Sequence, residues 1–130
     1  MPDLRWFVTD ETQIDSVPKP FGLIRHLPDY GPELRVSEVR MRRGLPGPVN
    51  FHIKSTEFAY LVSGDAYGYL DGDVVRLRPQ TAIFVPPGCP HGFKAVSEMA
   101  TLLVVHTPFV PPSDDHTFVL DDFDLPTAGD

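Results

Sequence analysis

From residue 34 onward the chain reads as short apolar or alternating runs, each cut off by proline, glycine or aspartate. Leu34–Met41 alternates polar and apolar positions. Glu57–Ser63 (EFAYLVS) is apolar and rich in β-formers. Ala66–Leu70 and Val74–Leu77 flank Asp71-Gly72-Asp73, a hairpin signal. Ala82–Val85 (AIFV) stops at Pro86-Pro87, and Thr101–His106 (TLLVVH) stops at Pro108. Short strands at this spacing predict an all-β sandwich or barrel. Fifteen prolines and ten glycines in 130 residues argue against long helices.

The first 33 residues are less regular. Asp10–Ile14 is expected to form one turn of helix, and the prolines at 18, 20, 28 and 32 keep the rest of this segment extended or looped. Phe21–Leu27 is expected to be a strand pairing at an edge. From Pro111 the chain is acidic and proline-rich, with Phe118, Val119 and Phe123 as anchors and residues 126–130 expected to be disordered. The chain therefore divides into an N-terminal extended segment (1–33), a barrel (34–110) and a C-terminal tail (111–130). The segment 1–33 is expected to pack on the barrel or pair across a homodimer, because open barrels have edges to protect.

Composition narrows the function classes. A chain of 130 residues favours one domain. A net charge of −7 repels phosphate backbones and argues against a nucleic-acid partner. No stretch approaches the ~18 apolar residues of a membrane span, and the N-terminus lacks a basic flank followed by an apolar block. One cysteine, Cys89, cannot make an internal disulfide. These features point to the cytoplasm.

Chemistry concentrates in two places. His52 and Glu57, with His91, make two imidazoles and one carboxylate. That is the composition of a facial triad holding a divalent metal with open positions. Alternation puts Asn50 and His52 on one face of a strand. Four residues then allow a return strand that sets Glu57 beside His52. His91 follows the rigid corner Pro86-Pro87-Gly88, which can aim it into the same cavity.

These residues resemble the cupin superfamily, in its small single-domain form. The first cupin motif runs Gly, five residues, His-x-His, three or four residues, Glu, six residues, Gly. Gly44, Asn50-Phe51-His52, Glu57 and Gly64 match it, with Asn50 in place of the first histidine. The second runs Gly, five residues, Pro-x-Gly, two residues, His, three residues, Asn. Gln80, Pro86-Pro87-Gly88, His91 and Ala95 stand there, with Gln80 for the glycine and Ala95 for the asparagine. The resemblance covers roughly residues 34–110. It implies a double-stranded β-helix (jelly-roll) barrel, with His52, Glu57 and His91 as metal ligands and Asn50 as a fourth ligand or a substrate hydrogen-bonder. The implied cofactor is one divalent ion: iron, nickel, manganese or zinc.

His106 closes the last core strand and is the candidate general acid or base, alongside Glu57. His26 and His116 fall in regions read as edge and tail, with no functional role. Lys54 is expected to be solvated and Cys89 to be a small buried hydrophobe. Arg35, Arg40, Arg42 and Arg43 are read as an exposed, salt-bridged strand face, with Arg40 and Arg42 on one side and Arg35 and Arg43 on the other. Tyr60, Tyr67, Tyr69, Phe84 and Phe93 are read mainly as core.

The expected function is a metal-dependent enzyme acting on a small oxygenated organic molecule, of dioxygenase, isomerase, cyclase or lyase type. The alternative is a metal-free cupin that binds a small ligand such as a sugar without catalysis, a reading that the missing first histidine supports.

Overall fold

The computed structural model describes residues 8, 10, 14–28 and 31–126. Eleven strands form two antiparallel sheets. The first sheet is ordered β1 (Val17–Lys19), β2 (Gly22–His26), β3 (Arg35–Arg42), β10 (Met99–Thr107), β5 (Thr56–Ser63), β8 (Ala82–Val85). The second is ordered β11 (His116–Leu120), β4 (Val49–His52), β9 (His91–Ala95), β6 (Ala66–Leu70), β7 (Asp73–Leu77). This is the expected all-β, single-domain barrel. The only helix among the described residues is one short turn, α1 (Pro112–Asp115). None is long and apolar enough to cross a membrane. The helical turn expected at Asp10–Ile14 lies mostly outside the described residues.

Strand alternation builds the interior. Val39 and Met41 from β3, Ala59 and Leu61 from β5, and Ala100, Leu102 and Val104 from β10 are buried in one cluster. On β3 the same parity carries Arg35 and Ser37 into the barrel, so the inward face of one strand changes from apolar to polar along its length. The cavity is thereby apolar toward one end and polar toward the other.

Two turns fix the register. β6 and β7 are joined by Asp71 and Gly72, at φ 51° and 96°, which suits the tight hairpin expected there. The Gly88 N–H of the Pro-Pro-Gly corner donates to the His52 carbonyl at 2.7 Å, which ties the two motif loops together. Gly92 permits the neighbouring approach, because a Cβ there would meet the Pro48 carbonyl oxygen of the chain leading into β4. His91 is thus held against Asn50, its register partner.

The segments flanking the barrel are integral to it. β2 pairs along β3, and β1 folds back on β2 as the outermost strand. At the other end the tail makes α1 and then β11, which lies antiparallel along β4 with His116 opposite His52. Phe123 is buried as expected of an anchor, packing where Gly47 leaves room, whereas Phe118 stays exposed.

Candidate metal and acid–base site

Five strands converge on the polar end of the cavity. His52 closes β4, Glu57 lies on β5, His91 opens β9, His106 is on β10 and His116 opens β11. Register does much of the placing. His106 is the cross-strand partner of Glu57, and His116 that of His52. Paired residues on one face have their Cβ atoms about 5 Å apart. The bend between β4 and β5 then brings Glu57 to His52. The cavity encloses about 390 Å³.

The central group is the Glu57 carboxylate, which is buried. Its Oε1 lies 2.7 Å from His106 Nε2 and 3.4 Å from His52 Nε2, and its Oε2 lies 3.2 Å from His91 Nε2. Burial alone would raise its pKa, but the hydrogen bond from His106 and the close approach of the His52 and His91 rings hold it well below the usual carboxylate range. Glu57 is therefore a carboxylate. Burial would lower the His91 pKa, but the facing Glu57 raises it.

The outer nitrogens of the two flanking imidazoles are both engaged. His52 Nδ1 donates to Asp115 Oδ2 at 2.9 Å, and His91 Nδ1 donates to the Cys89 carbonyl at 3.0 Å. In the neutral rings this leaves both Nε2 lone pairs facing a carboxylate. Two lone pairs and an anion need a positive charge among them, either protons or a cation. The donor set fits a metal. The ligand atoms of His52, Glu57 and His91 all lie within 4.8 Å of one another. Separations of 3.2 and 3.4 Å match neighbouring donors around one ion with bonds of about 2.0–2.2 Å. The outward hydrogen bonds are the second contacts by which metal-bound histidines are oriented.

Asp115 is the support the sequence reading missed. Burial would raise its pKa, but the Lys54 N–H, Ser55 and His52 hold it at about 2. Its Oδ1 accepts the Lys54 N–H at 2.7 Å and the Ser55 N–H at 3.2 Å. The tail thereby clamps the β4–β5 bend. His116 was expected to be a tail residue without a role; instead its ring meets His52 edge-on, with centroids 4.4 Å apart, and it lines the cavity. His26 also lines the cavity, bonded through Nδ1 to Ser37 Oγ at 2.8 Å. A local signal for the tail existed. Pro112 at a first helical position, followed by Asp114 and Asp115, is a helix start.

Of the residues singled out in the sequence, His52, Glu57, His91 and His106 come together, and Asn50 lines the same cavity beside them. Lys54 is exposed, as expected. Cys89 packs partly buried against the core, and burial pushes its thiol pKa up, as an inert residue requires. Arg40 pairs with Glu38 at 3.2 Å on the outer face. Arg35 departs from the expected exposed arginine face, because it lines the cavity. Phe84 and Phe93 diverge too: Phe93 packs against the core, while Phe84 is exposed.

Comparison with known proteins agrees with this geometry. Residues 37–106 match the family model described as Cupin domain. No curated protein matches. Among solved structures, Streptomyces Pac13 with uridine, in a variant form, is 21% identical over 92% of this chain and 95% of its own, with a TM-score of 0.76; Pac13 is described as a nucleoside dehydratase. KdgF from Halomonas sp. is 24% identical over 84% of this chain and 97% of its own, with a TM-score of 0.68. An RmlC-like cupin from Shewanella frigidimarina is 20% identical over 84% and 96%, with a TM-score of 0.72. The family match spans more than half the chain and both motifs, so the chain belongs to the cupin domain family.

Proposed function

We propose that the chain is a metal-dependent cupin enzyme that moves protons on a small oxygenated organic molecule, in a reaction of isomerase or lyase type. The observation that carries this reading is the orientation of His52 and His91. Both Nδ1 atoms donate outward, and both Nε2 atoms face Glu57. His52, Glu57 and His91 would hold a divalent ion (iron, nickel, manganese or zinc), and Asn50, which lines the same cavity, would add an amide oxygen or bind substrate. Such an ion supplies Lewis acidity, polarising a carbonyl or hydroxyl oxygen of the substrate.

The chain's own residues supply the proton path. Ionised Glu57 accepts the His106 Nε2–H at 2.7 Å, which leaves Nδ1 as the basic nitrogen of the neutral ring. His106 then takes a proton from a carbon next to the polarised group and returns it to the leaving oxygen or to a neighbouring carbon. Glu57 stabilises the imidazolium between the two steps. The apolar part of the lining lowers the local dielectric and strengthens these contacts. The solved dehydratase Pac13, which shares the fold, lends support to the lyase class.

One observation favours a second reading, a cupin that binds a ligand without metal. Protons satisfy the cluster as well as a cation does, since Glu57 is held ionised while the His91 pKa is raised. Elemental analysis of protein purified without added metal or chelator, beside His91→Ala, separates the two. Near-stoichiometric metal that vanishes in the variant supports the enzyme. No metal in either protein, even after iron, nickel, manganese and zinc are supplied in turn, removes the metal reading and leaves the second.

A further inference from the structure

Arg35 does not behave like Arg40 of its own strand or Arg25 of the adjacent β2. Arg40 and Arg25 both reach Glu38. Arg35 points the other way, into the cavity. Its guanidinium carbon lies 4.8 Å from the centroid of the Phe109 ring, stacked on an aromatic face. Its Nε is buried with no hydrogen-bond partner. No carboxylate pairs with it among the described residues, although the protein carries eighteen Asp and Glu. A buried guanidinium nitrogen without an acceptor is an unfavourable arrangement unless something else brings the acceptor.

The position of Arg35 says where that acceptor would sit. In the register of the first sheet, Arg35 on β3 is the partner of His106 on β10, and His106 is the partner of Glu57 on β5. The three residues form one row across adjacent strands and line the same cavity. Two strand spacings, about 10 Å, separate the ends of the row. His106 stands in the middle. A ligand that binds Arg35 and extends along this row would pass over His106 toward Glu57.

We propose that Arg35 is the anchor for a substrate carboxylate, so that the substrate is a short oxygenated organic monoanion held with its acid group at Arg35 and its reacting carbon over His106. The inference rests on the proposed function only in taking Glu57 and His106 as the reacting end. A guanidinium offers a planar fork that a carboxylate meets with two parallel hydrogen bonds. The stoichiometry of charge favours a monoanion over a phosphate dianion. Among the described residues lining the cavity, Arg35 is the only Lys or Arg, so one guanidinium is there to meet one acid group. His26 adds no second cation, because burial and the adjacent Arg35 both lower its pKa. Ser37, next on the inward face of β3 and paired with His26, adds a hydroxyl to the same wall.

The test uses calorimetric titration of the whole protein with three probes: 3-hydroxybutyrate, its uncharged methyl ester, and glycerol 3-phosphate. The expected result is binding of the acid, with the ester and the phosphate each weaker by about tenfold or more. Arg35→Gln should erase the preference for acid over ester, and Arg35→Lys should restore part of it, which also guards against a misfolded Gln variant. His91→Ala should keep the preference, showing that the acid is not held by a metal. Equal binding of acid and ester, an undiminished preference in Arg35→Gln, stronger binding of the phosphate, or no binding of the acid would each overturn the proposal. Metal content measured on the same Arg35→Gln protein distinguishes failure of the anchor from failure of the metal site. Unchanged metal with lost preference supports both, and loss of the preference in His91→Ala alone removes only the Arg35 anchor.

Discussion

His52 on the fourth strand is held by Asp115, a residue 63 positions later that belongs to the C-terminal tail. The same carboxylate caps the Lys54 and Ser55 N–H groups. One side chain thus fixes both the ring orientation of a candidate ligand and the bend that carries Glu57 to it. Asp115→Asn keeps the shape but removes the charge and half of the accepting capacity. It is expected to weaken metal binding about 10–100-fold and to lower stability by about 1–3 kcal/mol. Metal titration and urea unfolding of the variant check both numbers. Unchanged metal affinity in a stable variant would mean that Asp115 serves the bend alone.

His106 separates the acid–base role from the metal role. His106→Gln can still donate a hydrogen bond to Glu57, so the carboxylate stays in place and metal content should not change. Proton transfer is lost, and kcat on an identified substrate should fall about 10²–10⁴-fold with KM little altered. If metal content falls together with activity, His106 is a support for Glu57 rather than the base.

The difference between what the sequence revealed and what it hid lies in contact range. His52, Glu57 and His91 were legible because strand alternation, a four-residue bend and a Pro-Pro-Gly corner are local constraints, and the cupin motif spacing records them. The strands β5, β6 and β8 were legible for the same reason. Asp115, His116 and Arg35 were not. Asp115 and His116 reach the site only because β11 pairs with β4, and nothing within the tail specifies that pairing. Arg35 was assigned to an exposed face because four arginines within nine residues look like a solvated strand; the inward parity it shares with Ser37, Val39 and Met41 was the signal that placed it inside.

Gln80 occupies the glycine position of the second motif and adopts φ 70°, a left-handed conformation. Its N–H donates to the Leu61 carbonyl at 2.8 Å, so the turn is held by the backbone rather than by the side chain. A side chain there costs about 1–2 kcal/mol, of which glycine's extra unfolded-state freedom would offset about 0.5–1. Gln80→Gly is expected to stabilise the protein by about 0.5–1 kcal/mol, read as a higher urea midpoint at unchanged slope. A lower midpoint would show that the Gln80 side chain contributes contacts of its own.

The outer face of the first sheet predicts a homodimer. Phe58 and Phe84 are register partners, exposed at 40% and 69%, and Val62 and Leu103 extend the same apolar face. Among the described residues, β8 also ends that sheet with one side unpaired. Contiguous apolar surface next to an open edge is suited to self-association through a symmetric contact. Light scattering should give twice the monomer mass, and Phe84→Glu should halve it. A monomer at micromolar concentration in the parent protein counts against the prediction.

Acid should loosen the tail before it disrupts the barrel. Asp122 accepts the Gly47 N–H at 2.8 Å and pairs with Lys94 at 2.9 Å, while the neighbouring Phe123 is buried against Gly47. The Gly47 hydrogen bond, above all, lowers the Asp122 pKa in the folded state. A carboxyl group whose folded value lies below its unfolded value of about 3.9 stabilises the fold above that value and loses the contribution as pH falls through the folded one. The side chain is 44% exposed, so solvent screens the ion pair and the hydrogen bond carries most of the effect, about 0.5–1 kcal/mol in total. Asp122→Asn should therefore be less stable than the parent by that amount at pH 7. The gap should close as pH is lowered below about 4, and added salt should narrow it only slightly. Urea midpoints of the two proteins across this range test the clamp, and a gap that persists into strong acid would place the effect in packing around Phe123 instead.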